Sequence, residues 1–544
     1  MKQNLKQSMV KPVHAKVPVW LANIHKNLMK SVTLSPSSNG SETDNNYHSP
    51  ATFSELLTVG SSIQNGDRDK IVFALCRNFD FMSVEEILTA ADILYMNGVV
   101  SSSYTKCMIM YLYEMIDTLQ FTPSQIVRIV FHFQQFWPIA SALMMELEGR
   151  MEESLSDFTI NQVAQVCQLL FYRQYRFKSM TLIDAIGKKL LDEFDTIIPE
   201  NLPMMMKAFR YSNYVKVSFY KELGDFLGSK NFLNNFSNAA QIMHFAFAFA
   251  SVHITHHKLF KHLLRRIQEL EQPPRMKDLS KIIWACGTLV TTDQEHLEQI
   301  QAILDTVKKN ITIQQVLRYP DNLMDFLVGL AYLNIYPLDL IEQYLGQDTI
   351  QVLMNLDAGR SKFQQLEFLD ASLTIECPKF KRKLLSEAQR LELVNHLKHL
   401  REDVDIMLRK PMVPTIEALR DMIGEENVHY GFVLPHFKTA DILLAFDQEK
   451  KCFIIPQRQR STNDLNFDHV KSVVVMLLSK AQTSYDDQPL GMLYCKLRQL
   501  KRLGYSVIQI NADEALTYML MDKAEIQQKL LAHISETVDY PITN

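Results

Sequence analysis

Four cations crowd one short stretch near the C-terminal end of the chain. They are Lys496, Arg498, Lys501 and Arg502, within "LGMLYCKLRQLKRLGYSVIQIN". Lysine and arginine at this density suit anions, which they hold as point charges or as bidentate forks. A second set lies mid-chain. There "FYRQYRFK" carries Arg173, Arg176 and Lys178 beside Tyr172 and Tyr175, and "FRYSNYVK" carries Arg210 and Lys216 beside Tyr211 and Tyr214. Cations interleaved with flat rings fit single-stranded nucleic acid, with charges on phosphates and rings under bases. The same pattern arises when the rings are core and the cations solvate a turn, so both readings stay open residue by residue. Residues 160–310 hold 19 Lys+Arg against 14 Asp+Glu, although the net charge of the whole chain is −4. Any nucleic-acid contact is therefore confined to local patches.

Other site chemistries find less support. His253 and His257 in "SVHITHHKLFKH" stand four apart, a spacing that could hold a metal on a helix. No carboxylate or cysteine of zinc-site type accompanies them in the sequence, and zinc takes three or four protein ligands. They are expected to be helix-surface histidines, with no metal site. The seven cysteines are scattered and form no C-x-x-C, so neither a disulfide framework nor a cysteine zinc site is expected.

The elements that must position these residues are mostly helical. From about residue 55 to 345, apolar residues recur at helical period. A polar-then-aliphatic pair opens one segment after another: Glu86-Ile87, Gln125-Ile126, Gln162-Val163, Asn201-Leu202, Gln241-Ile242, Asp278-Leu279 and Asn322-Leu323. The pairs are 39, 37, 39, 40, 37 and 44 residues apart. Two helices per period predict an α-solenoid of helical-hairpin repeats, with an irregular bundle as the alternative. Solenoids offer long concave surfaces for extended partners rather than catalytic pockets. From about residue 413 the pattern turns to strands, "VHYGFVL", "DILLAF", "CFIIP", "VVVMLL" and "YSVIQIN", with a helix over 490–503. This predicts a small α/β domain after a mainly α chain. The 490–503 helix should pack through Leu490, Leu493, Leu497 and Leu500 and turn its four cations to solvent or a ligand.

The first 41 residues carry six lysines and no acid, with Val17, Trp20, Leu21, Ile24 and Leu28 at helical spacing. That is the pattern of a mitochondrial transit peptide, and a polar linker follows it. No run of about 18 apolar residues predicts a membrane span.

Two motifs carry a resemblance. "LEFLDASLTIECPKFKRKLL" (366–385) resembles the "LD…LECP.Y" signature of the FAST-kinase-domain family, and "LGMLYCKLRQLKRLGYSVIQI" resembles the conserved block of that family's RAP domain. The residue patterns set 1–50 as transit peptide and linker and 51–317 as the helical-repeat array, and the resemblance covers most of the chain beyond 1–50. It further implies 318–410 as FAST-like helical regions and 411–540 as a RAP domain similar to PD-(D/E)xK nucleases. It also implies a matrix protein that binds mitochondrial RNA, with partners among RNA-processing proteins and no cofactor. No Gly-rich phosphate loop, H-R-D or D-F-G is present, which excludes kinase chemistry despite the family's name. Asp441 matches the first carboxylate of the nuclease pattern, but "VVVMLL" offers no second acid. A metal-dependent endoribonuclease using Mg²⁺ or Mn²⁺ at Asp441 is therefore the alternative to RNA binding, and a protein-interaction scaffold is a further one.

Overall fold

A computed structural model describes residues 72–539, apart from 74, 97–102, 134–136, 230–231, 356–359, 397–408 and 457–468. The transit-peptide and linker expectations lie outside these residues. The chain is mainly helical with one small C-terminal mixed sheet, and it divides into two compact units, Met1–Ser212 and Asn213–Asn544.

In the first unit the labelled helices are α1 (Val84–Met96), α2 (Ser103–Glu114), α3 (Pro123–Phe133), α4 (Trp137–Glu153), α5 (Ile160–Tyr172), α6 (Met180–Asp192) and α7 (Leu202–Tyr211). Odd-numbered helices pack on odd ones, and α2, α4 and α6 pack in turn on each other. The second unit contains α8 (Val217–Ser229), α9 (Ala239–Ser251), α10 (His257–Gln268), α11 (Met276–Thr288), α12 (Gln294–Asn310), α13 (Pro320–Tyr332) and α14 (Arg360–Glu376), with shorter helices between. There α9, α11, α13 and α14 form one packed row, and α8, α10 and α12 form another.

The periodic polar–aliphatic pairs have a physical cause. In four of them the polar residue stands three positions after a capping side chain. Glu86, Gln125 and Gln162 accept the backbone N–H of Ser83, Thr122 and Thr159 at 2.8, 2.9 and 2.9 Å. Their own N–H groups are held by the capping hydroxyls at 3.3 Å. Asn238 accepts from the Gln241 N–H in the same place at 3.2 Å. Each cap satisfies helix-end donors and contributes about 1 kcal/mol. The far ends repeat as well. Gln174, Asn213, His253, Val290 and Asn334 all have positive φ, between 53° and 63°. Each falls 12 residues after the polar member of its pair. At four of them the next residue's N–H reaches back to the helix, as from Tyr175 to the Leu170 carbonyl at 3.0 Å and from Ile254 to Phe249 at 3.2 Å. This left-handed turn closes the helix and aims the chain into the next one.

After α14 come α15 (Met412–Ile423), β1 (His429–Gly431), β2 (Asp441–Asp447), β3 (Cys452–Ile454), β4 (Val470–Leu477), α16 (Gly491–Arg502), β5 (Ser506–Ile510) and α17 (Lys523–Val538). The sheet order is β1-β2-β4-β5, with β3 also on β2; β4 and β5 are parallel and the other pairs antiparallel. Ile442, Leu444, Phe446, Val473, Val475 and Ile508 face a core shared with α15 and α17. The alternate residues Leu443, Ala445, Val474 and Met476 are buried too, so the sheet is covered on both sides.

The C-terminal module is seated on the helical rows where α11, α13 and α16 cross at glycines. A Cβ on Gly491 would lie 2.1 Å from the Gly287 carbonyl oxygen, and one on Gly287 would lie 2.2 Å from that of Gly329. The obstructing atoms are backbone and cannot rotate away. Alanine is the better helix former by about 1 kcal/mol, yet Gly491→Ala is expected to lower stability by about 1–3 kcal/mol through overpacking. Val290, β-branched in a left-handed turn, presents the opposite case: Val290→Asn should raise stability by about 1 kcal/mol. Urea midpoints of the two variants against the parent check both signs.

Candidate nucleic-acid interface

In the first unit, packing of α5 against α7 gathers most of the mid-chain set. Arg176 lies over the Tyr211 ring at 5.1 Å, and the Lys207 ammonium lies over Phe171 at 5.5 Å. Phe171 and Tyr211 meet edge to face at 6.3 Å, while Tyr172 is 57% exposed and accepts from Gln168 Nε2 at 3.1 Å. Burial and the neighbouring Arg210 hold the Lys207 ammonium below its usual range, and burial does the same to the Arg173 guanidinium.

The placement of the other expected residues is mixed. Lys178 is exposed, and its backbone N–H donates to Glu148, which fixes the turn. Arg210 is half-buried beside Lys207. Lys216 is exposed and falls in the second unit. Tyr175 and Tyr214 are core residues, so the bland reading holds for those two rings while Tyr172 and Tyr211 remain accessible. Lys207 escaped the sequence reading because it is a lone cation in "MMMKAF", and the ring nearest to it in sequence, Phe209, is buried. Its signal was register: it stands six residues after Asn201, as Phe247 and Trp284 stand six after Gln241 and Asp278. Those two half-exposed rings meet at 5.5 Å on α9 and α11, with Lys281 over Phe247 at 5.8 Å.

The C-terminal cations do not share one face, which corrects the expectation that α16 turns all four outward. The four leucines pack inward as expected, and Lys501 and Arg502 are exposed. Lys496 is 1% exposed. Its ammonium lies 2.5 Å from Asp441 and donates to the Thr439 hydroxyl and carbonyl at 2.8 and 3.0 Å. Arg498 forks onto Glu376 of α14 at 2.5 and 3.0 Å and caps α13 through the carbonyls of Ala331 and Tyr332 at 2.8 and 3.1 Å. The helix is pressed between the sheet and α11, α13 and α14, and Lys496 and Arg498 fall on its covered sides, so these two cations are neutralised inside. Asp441, at the start of β2, is 1% exposed and is engaged by Lys496, an arrangement that ties strand to helix.

Glu376 centres the buried network. Tyr336 donates to it, as does Gln499 Nε2 at 3.1 Å, and Gln499 also joins Ser372 at 2.9 Å and His436 at 2.8 Å. Burial alone would raise the Glu376 carboxyl. The hydrogen bonds from Arg498 and Tyr336 outweigh it and hold the group below its usual range. Asp370, in the same FAST-like motif, accepts from the Leu384 N–H at 3.0 Å and from Arg390 at 2.6 Å. The motif's acids thus fasten elements together.

The histidine pair also needs correction. His253 occupies a left-handed turn rather than a helix face, and His257 at the start of α10 is accompanied by a carboxylate after all, Asp293, together with His296.

The fold and this arrangement define a class: rows of paired helices closed by a small α/β module, with a cation–aromatic patch on the helices. No family model matches the chain. It is similar to FAST kinase domain-containing protein 5, mitochondrial, of Mus musculus, at 21% identity over 69% of this chain and 48% of that protein. The Homo sapiens protein of that name is 22% identical over 60% and 42%. FAST kinase domain-containing protein 2, mitochondrial, of Homo sapiens is 21% identical over 71% and 51%. The chain spans about half the length of the curated relatives it matches. The recognition made on the two motifs stands: the chain's curated homologues are FAST-kinase-domain proteins, mitochondrial by name. Among the described residues no helix is long and apolar enough to cross a membrane.

His436 gives the network a pH dependence. Burial pushes its imidazole down to about 4, with Lys496 and Lys438 adding to the effect. The unfolded chain takes a proton near the ordinary value of about 6.5 and the folded one does not until about 4. Stability therefore falls as pH drops through that window, by up to roughly 3 kcal/mol. Denaturant titrations between about pH 7 and about pH 5 should show a shallower fall for His436→Gln, which keeps a donor to Gln499. Equal slopes would mean that His436 is protonated in the fold.

Proposed function

We propose that this is a mitochondrial RNA-binding protein that holds single-stranded segments of mitochondrial transcripts and so governs their stability, processing or translation. The observation that carries the reading is the α5–α7 patch, where Arg176 lies over the Tyr211 ring and Lys207 over Phe171, with Arg210 beside Lys207 and Arg173 next in sequence to the exposed Tyr172. The charges suit phosphates, and the rings suit bases at about 1–3 kcal/mol per stacked base. The rows of paired helices, with their fixed turn register, support reading the array as a solenoid that gives length to the contact. The strand order and the motif in α16 support reading the C-terminal module as RAP-like. Of its four cations, Lys501 and Arg502 are the phosphate contacts we retain, and Lys496 and Arg498 we assign to structure. The mitochondrial names of the homologues and the basic, acid-free N-terminal sequence agree on the compartment.

Fluorescence anisotropy with a single-stranded RNA of about 20 nucleotides tests the reading. Affinity should fall with salt at a log–log slope of about −0.7 per phosphate neutralised. Replacing Arg176 and Lys207 together by alanine should weaken binding and flatten that slope by about 1.4. RNA affinity that is absent or independent of salt would leave a protein-interaction scaffold as the reading.

A further inference from the structure

Packing of α10 on α12 brings together ligating atoms from two successive helical pairs. His257 is the first residue of α10, Asp293 is the N-cap of α12, and His296 lies in the first turn of α12. One nitrogen from each imidazole and one carboxylate oxygen lie within 4.8 Å of one another. His296 is 2% exposed, whereas His257 and Asp293 reach solvent.

The valence of His296 makes the cluster more than a helix cap. Its Nε2 lies 3.2 Å from the His257 carbonyl oxygen, which can only accept, so Nε2 carries hydrogen. Its Nδ1 is then turned onto one oxygen of Asp293, while the other oxygen takes the His296 backbone N–H at 3.1 Å. A neutral imidazole donates from only one of its two nitrogens, so a cation bound at Nδ1 would let the carbonyl and the carboxylate contacts both be favourable. His257 Nδ1 approaches the same Asp293 oxygen at 3.7 Å, so two imidazoles converge on one anionic atom. The nearby cation Lys261 is engaged elsewhere, with Glu295 at 2.6 Å. A buried ring fixed from behind by a carbonyl, with its free nitrogen beside a carboxylate, is how proteins orient a metal-binding histidine.

We propose that His257, Asp293 and His296 bind one divalent first-row transition-metal ion, zinc in the first instance, with water completing the coordination. Two imidazoles and a carboxylate suit such an ion better than the all-oxygen ligation preferred by Mg²⁺ or Ca²⁺. The ion ties α10 to α12 and keeps at least one position open to solvent. The partial positive charge at the α12 N-terminus opposes the ion only weakly beside three coordinate bonds.

The full chain, stripped with chelator, is titrated with ZnCl₂ by calorimetry and with Co²⁺ by visible absorption. One Zn²⁺ per chain is expected, undisturbed by millimolar Mg²⁺, with Co²⁺ bands of four- or five-coordinate geometry. His257→Ala, at an exposed position, should weaken binding at least about tenfold. His253→Ala, outside the cluster, should leave it unchanged. Absence of stoichiometric Zn²⁺ binding and of the Co²⁺ bands overturns the proposal, as does equal affinity in His257→Ala. Either result would leave the cluster a helix cap only.

Discussion

One buried ion pair, Arg498 with Glu376, sets the terms for the second unit. The Glu376 side chain is fully removed from water, and a carboxylate in that position is tolerable only with a fixed partner. Arg498 provides it with a planar fork and spends its remaining donors on the carbonyls of Ala331 and Tyr332, which α13 cannot satisfy within itself. That geometry fixes where α16 lies, and α16 in turn brings Lys496 to Asp441 and Gln499 to His436. The glycine crossing of α11, α13 and α16 serves the same end, since guanidinium and carboxylate could not meet if side chains held the helices apart.

The helical architecture was largely legible in the sequence because it is written locally. A capping box spans four residues, and the closing turn falls 12 residues after the polar member of its pair, so the repeats that carry these signals announce themselves without reference to any other. The strands were legible for a similar reason: "DILLAF" and "VVVMLL" are short apolar runs bounded by turn residues, and both became buried strands. The helix over 490–503 and its leucine face were equally plain.

What the sequence concealed depends on partners distant along the chain. Four cations on one helix look alike in sequence. Only the neighbours brought by folding, Glu376 and Asp441 for two of them and solvent for the others, separate structural charges from available ones. The rings of "FYRQYRFK" divide in the same way, Tyr175 to the core and Tyr172 to the surface, because the left-handed turn at Gln174 reverses the chain between them. His257 gains its carboxylate from the next helical pair, a contact that no local spacing could announce.

Arg498 closes a helix belonging to the row that precedes it, and this gives the C-terminal module a second character. A stacked array needs a terminus that hides its last apolar face and satisfies its last polar groups. Here that terminus is a folded α/β domain instead of a polar helix. A chain ended before β1 would therefore leave the Glu376 carboxylate without its guanidinium partner and the Tyr332 carbonyl without its donor. The C-terminal module thus also covers the end of the helical row on which it is seated.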